Sequence, residues 1–336
     1  MSASIDNHRV TPSLSSDVAL VRRYGGAVSH STLDPVCQTF RIPEIDGFIG
    51  FHLHHGCAVA MGDPICNPAD HEMLANAFID HAASQGWTVI FAVASDALRP
   101  LMTKVGGAMV QVADLLIADA QQDPLQGPRG SHLRTSTRLP LREGVLIHEY
   151  DGNAAPDPVI EERVMTAMES WRTHRTGFQL HIGSHLVFRS REGCRWLLAE
   201  QGDKVCGILT MMGINTAGCG LLIDLVLSTP SAPPHTNELL IVSAFHQLKQ
   251  ESRQSVCLGV APRAMPGEII GFGPISTRLA RFFYYLTMKL SPQHGKAAFW
   301  KKFGITRREP LYMMFLTPRV GLREFRALIK TFNGAM

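Results

Sequence analysis

An aspartate in the middle of an apolar run, GLLIDLVL, is the first residue here whose surroundings could make it reactive. An ionised carboxylate inside a buried strand is costly unless it is paired or hydrogen-bonded. Asp224 is therefore either a structural anchor or a site residue, and the sequence leaves both readings open. A second concentration is AAFWKKFGITRREPLYMMF, residues 297–315, where Lys301, Lys302, Arg307 and Arg308 sit beside Phe299, Trp300 and Phe303, with no acid before Glu309. Cations among aromatic rings suit phosphates and unstacked bases; the plainer reading is a solvated helix end running into a core strand. A third is GPRGSHLRTSTRLPLREG, with Arg129, Arg134, Arg138 and Arg142 and no acid between Gln126 and Arg142. Arg134 and Arg138 share a face if this stretch is helical. Most charge runs are solvated, so an anion site requires this run and residues 296–308 to face one cleft.

Other chemistries lack their signatures. There is no G-x-x-x-x-G-K-[ST] and no G-x-G-x-x-G after a strand, and the Gly-rich pyrophosphate loop of acetyl-CoA enzymes is missing. KVGGAM has paired glycines but leads into a strand and reads as a turn. His52, His54 and His55 lack a third ligand at metal-site spacing, so they are taken as a hairpin feature and no metal is expected. No G-x-S-x-G elbow and no cysteine in an activating context supports covalent catalysis. The seven cysteines are scattered, odd in number and never form C-x-x-C, which fits a reducing compartment. A polar N-terminus and the lack of any apolar run near ~20 residues lead to an expected cytoplasmic location. The net charge of +3 is too small to mark a nucleic-acid binder, so any anion preference must be local.

These residues need elements to hold them. With 336 residues, 45% hydrophobic and 18% charged, the chain is comfortable as two globular units. Residues 1–16 read as a flexible tail. Strands at 47–53 and 57–61 flank a turn at His54–Gly56. Asn67 and Pro68 start a helix that Gly86 ends, and WTVIFAVA and AMVQVADLLIA are strands around a helix with an internal Pro100. The same α/β grammar restarts with VIEERVMTAMESWRTHR as a helix. A hairpin turns at Gly202–Asp203, GLLIDLVLS is a strand, 236–252 is a helix and SVCLGVA a strand. Helices at 275–287, 295–303 and 321–332 and a strand at 311–316 complete the pattern. Glu238, opening its helix after STPSAPPHT, reads as a cap on the helix dipole. The expected organisation is a unit at 17–120, a basic connector at 121–155 and a unit at 156–336.

Several stretches coincide in order and spacing. GDP at Gly62–Pro64 follows a strand, SDALRPLMTKVG follows the next, and HLR at His132–Arg134 lies in the basic run. Trp171 is followed by TGF, Asp224 precedes a Pro-rich loop, LGVAP spans Leu258–Pro262, and FWKKF…REPLY closes the pattern. Over roughly residues 20–318 the chain resembles the catalytic domain of aminoacyl-phosphatidylglycerol synthases, the phosphatidylglycerol lysyltransferase group. The resemblance implies an α/β fold of tandem N-acetyltransferase-like (GNAT-like) domains with mixed sheets. It implies an aminoacyltransferase that takes an amino acid from aminoacyl-tRNA, as co-substrate and with no other cofactor, to a hydroxyl or amine of a small molecule or lipid. Familiar members carry a large membrane-spanning N-terminal domain; this chain looks like the soluble subset, with peripheral membrane contact as its expected link to lipid.

An aminoacyl ester is already activated, so the enzyme needs a base or orienting acid, donors for the oxyanion and cations for the tRNA end. Asp224, Lys302 and Tyr312 are the expected catalytic residues: Asp224 for the acceptor, Lys302 for charge near the departing ribose oxygen. Arg129, Arg134, Arg138, Lys301, Arg307 and Arg308 are expected to hold tRNA phosphates, and Phe299 or Trp300 to stack on a terminal base. Two positions depart from the family. Leu227 replaces an arginine three residues after the strand aspartate, and Leu311 replaces the arginine of Pro-Arg-Tyr. The expectation is a neutral or cationic acceptor, or a relocated clamp built from Arg263, Arg307 or Arg308. Competing readings are an acyl-CoA-dependent N-acyltransferase on the same fold and a catalytically inactive tRNA- or membrane-binding protein.

Overall fold

The computed structural model describes residues 14–128, 130–174, 187–188, 191–216, 218–290 and 298–333. The first helix, α1 (Leu14–Tyr24), begins inside the stretch expected as a tail, with Val18, Leu20 and Val21 buried. Strands β1 (Gln38–Phe40), β2 (Ile49–His54) and β3 (Cys57–Met61) run antiparallel. Between β2 and β3, His55 and Gly56 both take positive φ, 51° and 69°, as a tight two-residue hairpin requires. The Asn67 side chain accepts from the Ala69 amide at 3.1 Å, capping the short turn Pro68–Asp70 that leads into α2 (His71–Ser84). Leu74, Ala75, Phe78 and Ala82 form its inner face. The helix returns the chain to β4 (Thr88–Ser95), parallel to β3, whose continuous apolar run is buried as parallel strands require. In α3 (Arg99–Lys104), Pro100 stands in the first turn, where its missing N–H leaves no bond unmade, rather than in the helix interior. β5 (Ala108–Asp119) follows.

The stretch expected as a basic connector is largely structured. It contains α4 (Ser131–Arg142), which buries Leu133, Ser136, Thr137 and Pro140, and β6 (Val145–Tyr150), which pairs with β7. The arginines hid this because they lie on the outer face of an amphipathic helix. Next come α5 (Pro158–His174), β7 (Cys194–Gln201), β8 (Lys204–Thr216) and β9 (Cys219–Ser228), the strands antiparallel. α6 (Thr236–Gln250) crosses back to β10 (Ser255–Pro262), parallel to β9, and β11 (Ile269–Ile270) adds to β5. α7 (Pro274–Leu290), a short turn at Lys301–Phe303, β12 (Ile305–Phe315) and α8 (Leu322–Asn333) complete the described chain.

Among the described residues the strands form a single mixed sheet, ordered β1-β2-β3-β4-β12-β5-β10-β9-β8-β7-β6. Each half is an antiparallel run ending in a helix-crossed parallel pair, β3/β4 and β9/β10, the tandem N-acetyltransferase-like arrangement. β12 begins at Ile305 rather than at 311, because the charged TRREP stretch pairs along β5 with its side chains outward. It lies between β4 and β5, so a strand from the far end of the chain completes the first half, and the pairing of β5 with β10 joins the two halves into one sheet.

Candidate functional site

β9 and β10 pair at a single position, Cys257 opposite Leu222, and then part. β10 follows β5 instead, through an irregularity between Cys257 and Gly259 at which Gly259 takes φ 92°. On its other edge β9 is irregular at the same level: Thr210 faces Leu225 and Met211 faces Ile223, so Asp224 is the extra residue of a bulge. The Leu225 amide is satisfied by the Thr210 hydroxyl at 3.2 Å. A bulge re-aims the side chain it carries. Asp224 thus stands where the sheet opens, its side chain 24% exposed, and its Oδ2 is 3.7 Å from Nδ1 of His30.

His30 comes from the tight turn Ser29–Leu33 of the first half. Ser29 Oγ accepts from the Gly26 amide, Ser31 Oγ donates to the Val28 carbonyl, and Thr32 Oγ1 donates to the Ser29 carbonyl. Its own short side chains close the turn. Both ring nitrogens of His30 are buried without a hydrogen-bond partner, so the Asp224 contact is the nearest compensation on offer. Cys194, close to Asp224, has its thiol pushed up to about 12 by burial and by that carboxylate. Nothing in the sequence pattern singles out His30.

A second cluster sits at the start of α6. Lys302 Nζ donates to Glu238 Oε1 at 2.8 Å and lies 5.3 Å from the centre of the Phe299 ring. His235 Nδ1 is 3.1 Å from the same oxygen. Burial pushes the Glu238 carboxyl up, but the hydrogen bonds from Lys302 and His235 outweigh it and hold it below the usual carboxylate range. Glu238, expected only as a helix cap, is therefore the buried partner of an expected catalytic residue. The His132 ring meets His235 edge-on at 6.4 Å, so α4 adjoins the Lys302 turn through His132, His235 and Glu238. The basic helix thus reaches the FWKKF stretch only indirectly, from His132 through His235 and Glu238 to Lys302.

The other expected site residues divide. Arg138 and Lys301 are exposed and make no hydrogen bond or ion pair with a described residue. Arg134 instead ties down the preceding loop, donating to the carbonyls of Leu125 and, at 2.9 Å, Gly127. Trp300 is buried against Phe303 in the core under α6, so it is no open stacking platform, whereas Phe299 stays half-buried. Arg307 is exposed, with Nε 3.3 Å from Glu309. Arg308 and Arg263 converge on the buried Asp114, at 3.7 Å and 3.0 Å. Arg129 lies outside the described residues, as does the TGF after Trp171.

Tyr312 belongs to a different cluster. Its hydroxyl accepts from Arg99 Nη2 at 2.7 Å and donates to Glu268 Oε2 at 3.3 Å. Burial, then the balance of neighbouring charges and that bond, pushes the phenol up. These are first-half contacts around α3, made neither with Asp224 nor with Lys302. Asp63 of the GDP stretch accepts from the Ser95 amide at 2.8 Å, tying the ends of β3 and β4 together. Leu227 and Leu311 are both buried core residues, so no guanidinium stands at either place.

Residues 18–315 match the family described as "Phosphatidylglycerol lysyltransferase, C-terminal". The chain is 26% identical over 240 residues to "Lysylphosphatidylglycerol biosynthesis bifunctional protein LysX" of Rhodococcus opacus, covering 69% of this chain and 21% of that protein. A "Phosphatidylglycerol lysyltransferase" of Staphylococcus epidermidis is 31% identical over 102 residues, 30% of this chain and 12% of that protein. The chain thus spans about a fifth of the Rhodococcus relative's length and less of the staphylococcal one. Among solved structures, "L-PGS from Bacillus licheniformis" superposes with a TM-score of 0.77 at 16% identity, covering 96% of this chain and 98% of that one. The C-terminal domain of a "Putative Lysylphosphatidylglycerol Synthetase" from Agrobacterium fabrum gives 0.75 at 18% identity, covering 96% and 99%. These two likenesses establish the shared fold. With the match running from α1 to the end of β12, and so across both halves and the opening at Asp224, the chain belongs to the phosphatidylglycerol lysyltransferase C-terminal family.

Proposed function

We propose that this chain moves an amino acid from the 3′ end of an aminoacyl-tRNA to a hydroxyl or amine of an uncharged or cationic acceptor, lipid or small molecule. The observation that carries the reading is Asp224, a bulged carboxylate where β9 and β10 part, in a chain of this family. The ester is the activated species, so one displacement suffices. The acceptor heteroatom attacks the ester carbonyl as its proton passes to Asp224. The carbonyl–ribose C–O bond breaks and the ribose oxygen takes up a proton, with Lys302 stabilising its charge. Glu238 is not a bystander in this scheme: it fixes where the Lys302 ammonium points.

Arg138, Lys301 and Arg307, exposed on the side of α4 and the β12 start, are assigned to the tRNA backbone, and Phe299 to a terminal base. Arg134 and Trp300 are assigned structural roles. The acceptor's charge follows from Leu227 and Leu311: apolar core side chains stand at both places, and Arg263 and Arg308 are drawn onto Asp114.

The test is transfer from a panel of labelled aminoacyl-tRNAs to phosphatidylglycerol, diacylglycerol and small amines, with acyl-CoA thioesters alongside. Asp224→Asn is expected to lower kcat by about 10²-fold or more while tRNA affinity stays within about twofold. Equal loss of both would sink the role of Asp224. Efficient transfer to phosphatidylglycerol would overturn the acceptor assignment, and transfer only from CoA thioesters would overturn the donor.

A further inference from the structure

Helix α7 carries three large apolar side chains on its solvent face, Ile275, Phe282 and Tyr285, which are 75%, 57% and 62% exposed. Their spacing, i, i+7 and i+10, puts them on one stripe. Arg278, Arg281 and Lys289 lie on the same exposed side, and the helix, PISTRLARFFYYLTMKL, contains no acid at all. None of the three cations makes a hydrogen bond or ion pair with a described residue. Arg138 and Lys301 share that state, whereas Arg22, Arg41, Arg99, Arg163, Arg191 and Arg195 each hold a carboxylate. The chain's net charge is +3, so a helix with three unopposed cations and no anion is a local concentration and not a reflection of composition.

The stripe is not a loose segment awaiting a place in the core. The opposite face of α7 is anchored: Ala280, Phe283 and Met288 are buried, and the Phe283 ring stacks on Phe325 of α8 at 4.5 Å. The Tyr284 hydroxyl lies 2.8 Å from the Val112 carbonyl and 2.6 Å from the Arg263 carbonyl. Met265, in the loop after Arg263, is also exposed. The apolar stripe is therefore held outward by a helix whose inner side is already satisfied.

We infer that the outer face of α7 docks on an anionic lipid bilayer, lying in the interface with Ile275, Phe282 and Tyr285 in the acyl boundary and Arg278, Arg281 and Lys289 among the headgroups. Charge complementarity selects this occupant: long basic side chains let the apolar stripe sink while their cations stay at the anionic surface. A nucleic acid would match the cations but not an exposed isoleucine and a phenylalanine in line with them. Among the described residues no helix is long and apolar enough to cross a membrane, so α7 would lie on the surface and not span it. The inference does not rest on the transfer reading, since docking is measurable without turnover.

The experiment is flotation of the full chain with phosphatidylcholine vesicles, alone and with phosphatidylserine, a headgroup chosen because it is not the lipid in the family's name. Binding to the anionic vesicles alone, weakened by salt, is expected, with a loss of about tenfold or more in Arg278→Glu/Arg281→Glu and in Phe282→Ser/Tyr285→Ser. Because these side chains are exposed, both variants should keep the wild-type melting temperature. Phe282→Trp gives an independent readout, a blue-shifted emission on adding anionic vesicles. Equal binding to neutral vesicles, unchanged binding by the variants, or no Trp shift would overturn the inference. So would variants that lose tRNA binding or self-association while still floating, which would assign the face to RNA or to a second copy.

Discussion

At the scale of single residues, the site divides between what local pattern can reveal and what only tertiary contact can. Asp224 was legible because a carboxylate within GLLIDLVL is anomalous on its own strand. His30 was not, since the turn SHSTL has no distinguishing spacing and its partner comes from the other half of the chain. The aromatic–basic stretch misled in one respect. Trp300 looked like Phe299 in the sequence, yet it faces the core while Phe299 lies under the Lys302 ammonium. If Nδ1 of His30 orients Asp224, His30→Asn, whose amide occupies roughly the Nδ1 position, should keep most of kcat. His30→Gln, which places its amide near Nε2, should lose about tenfold in kcat with KM little changed. Equal loss in the two variants, with their melting temperatures intact, would overturn the Nδ1 role, and unchanged kcat in both would remove His30 from the site. A buried imidazole without partners costs stability, so both replacements are expected to be mild in thermal unfolding.

At the scale of elements, periodicity found most helices and strands, and it failed where charge concealed structure. The arginines of α4 and the TRREP start of β12 read as solvated chain because their outward side chains dominate the pattern. The backbone ladder that orders β12 is supplied by β5 and cannot be seen locally. The converse case is β2, whose Gly50 looks like any strand glycine. A Cβ there would stand 2.4 Å from the Thr32 side chain, which closes the turn carrying His30. Gly50→Ala should therefore destabilise the fold by about 1–3 kcal/mol. It should also cut turnover more than it weakens tRNA binding, because the displaced turn faces Asp224 and not α4. Denaturant unfolding together with filter binding and steady-state kinetics checks this. Unchanged turnover in a folded Gly50→Ala would show that the turn is irrelevant to chemistry.

At the scale of the whole molecule, two α/β halves were legible from the repeated grammar of strands and crossover helices. Their union in one sheet was not, because sequence order gives no hint that β5 pairs with β10 or that β12 lies between β4 and β5. The insertion makes the halves interdependent. A chain ending at residue 304 should leave β4 and β5 without their shared neighbour and expose two apolar edges. It should be aggregated or partly unfolded under conditions in which the 336-residue chain stays folded and in solution, as light scattering and circular dichroism would report; a well-folded monomer would show that the first half closes without β12. The same insertion sets a timetable for synthesis. On the ribosome, α2, β4 and β5 emerge long before the strand that belongs between them, so the first half cannot mature in the order it is made. It must wait, partly formed and with bare edges, until Phe315 has left the exit tunnel. A half whose sheet is closed by late residues cannot be finished until nearly all of the 336 residues are made, and a chain stopped before β12 leaves β4 and β5 apart.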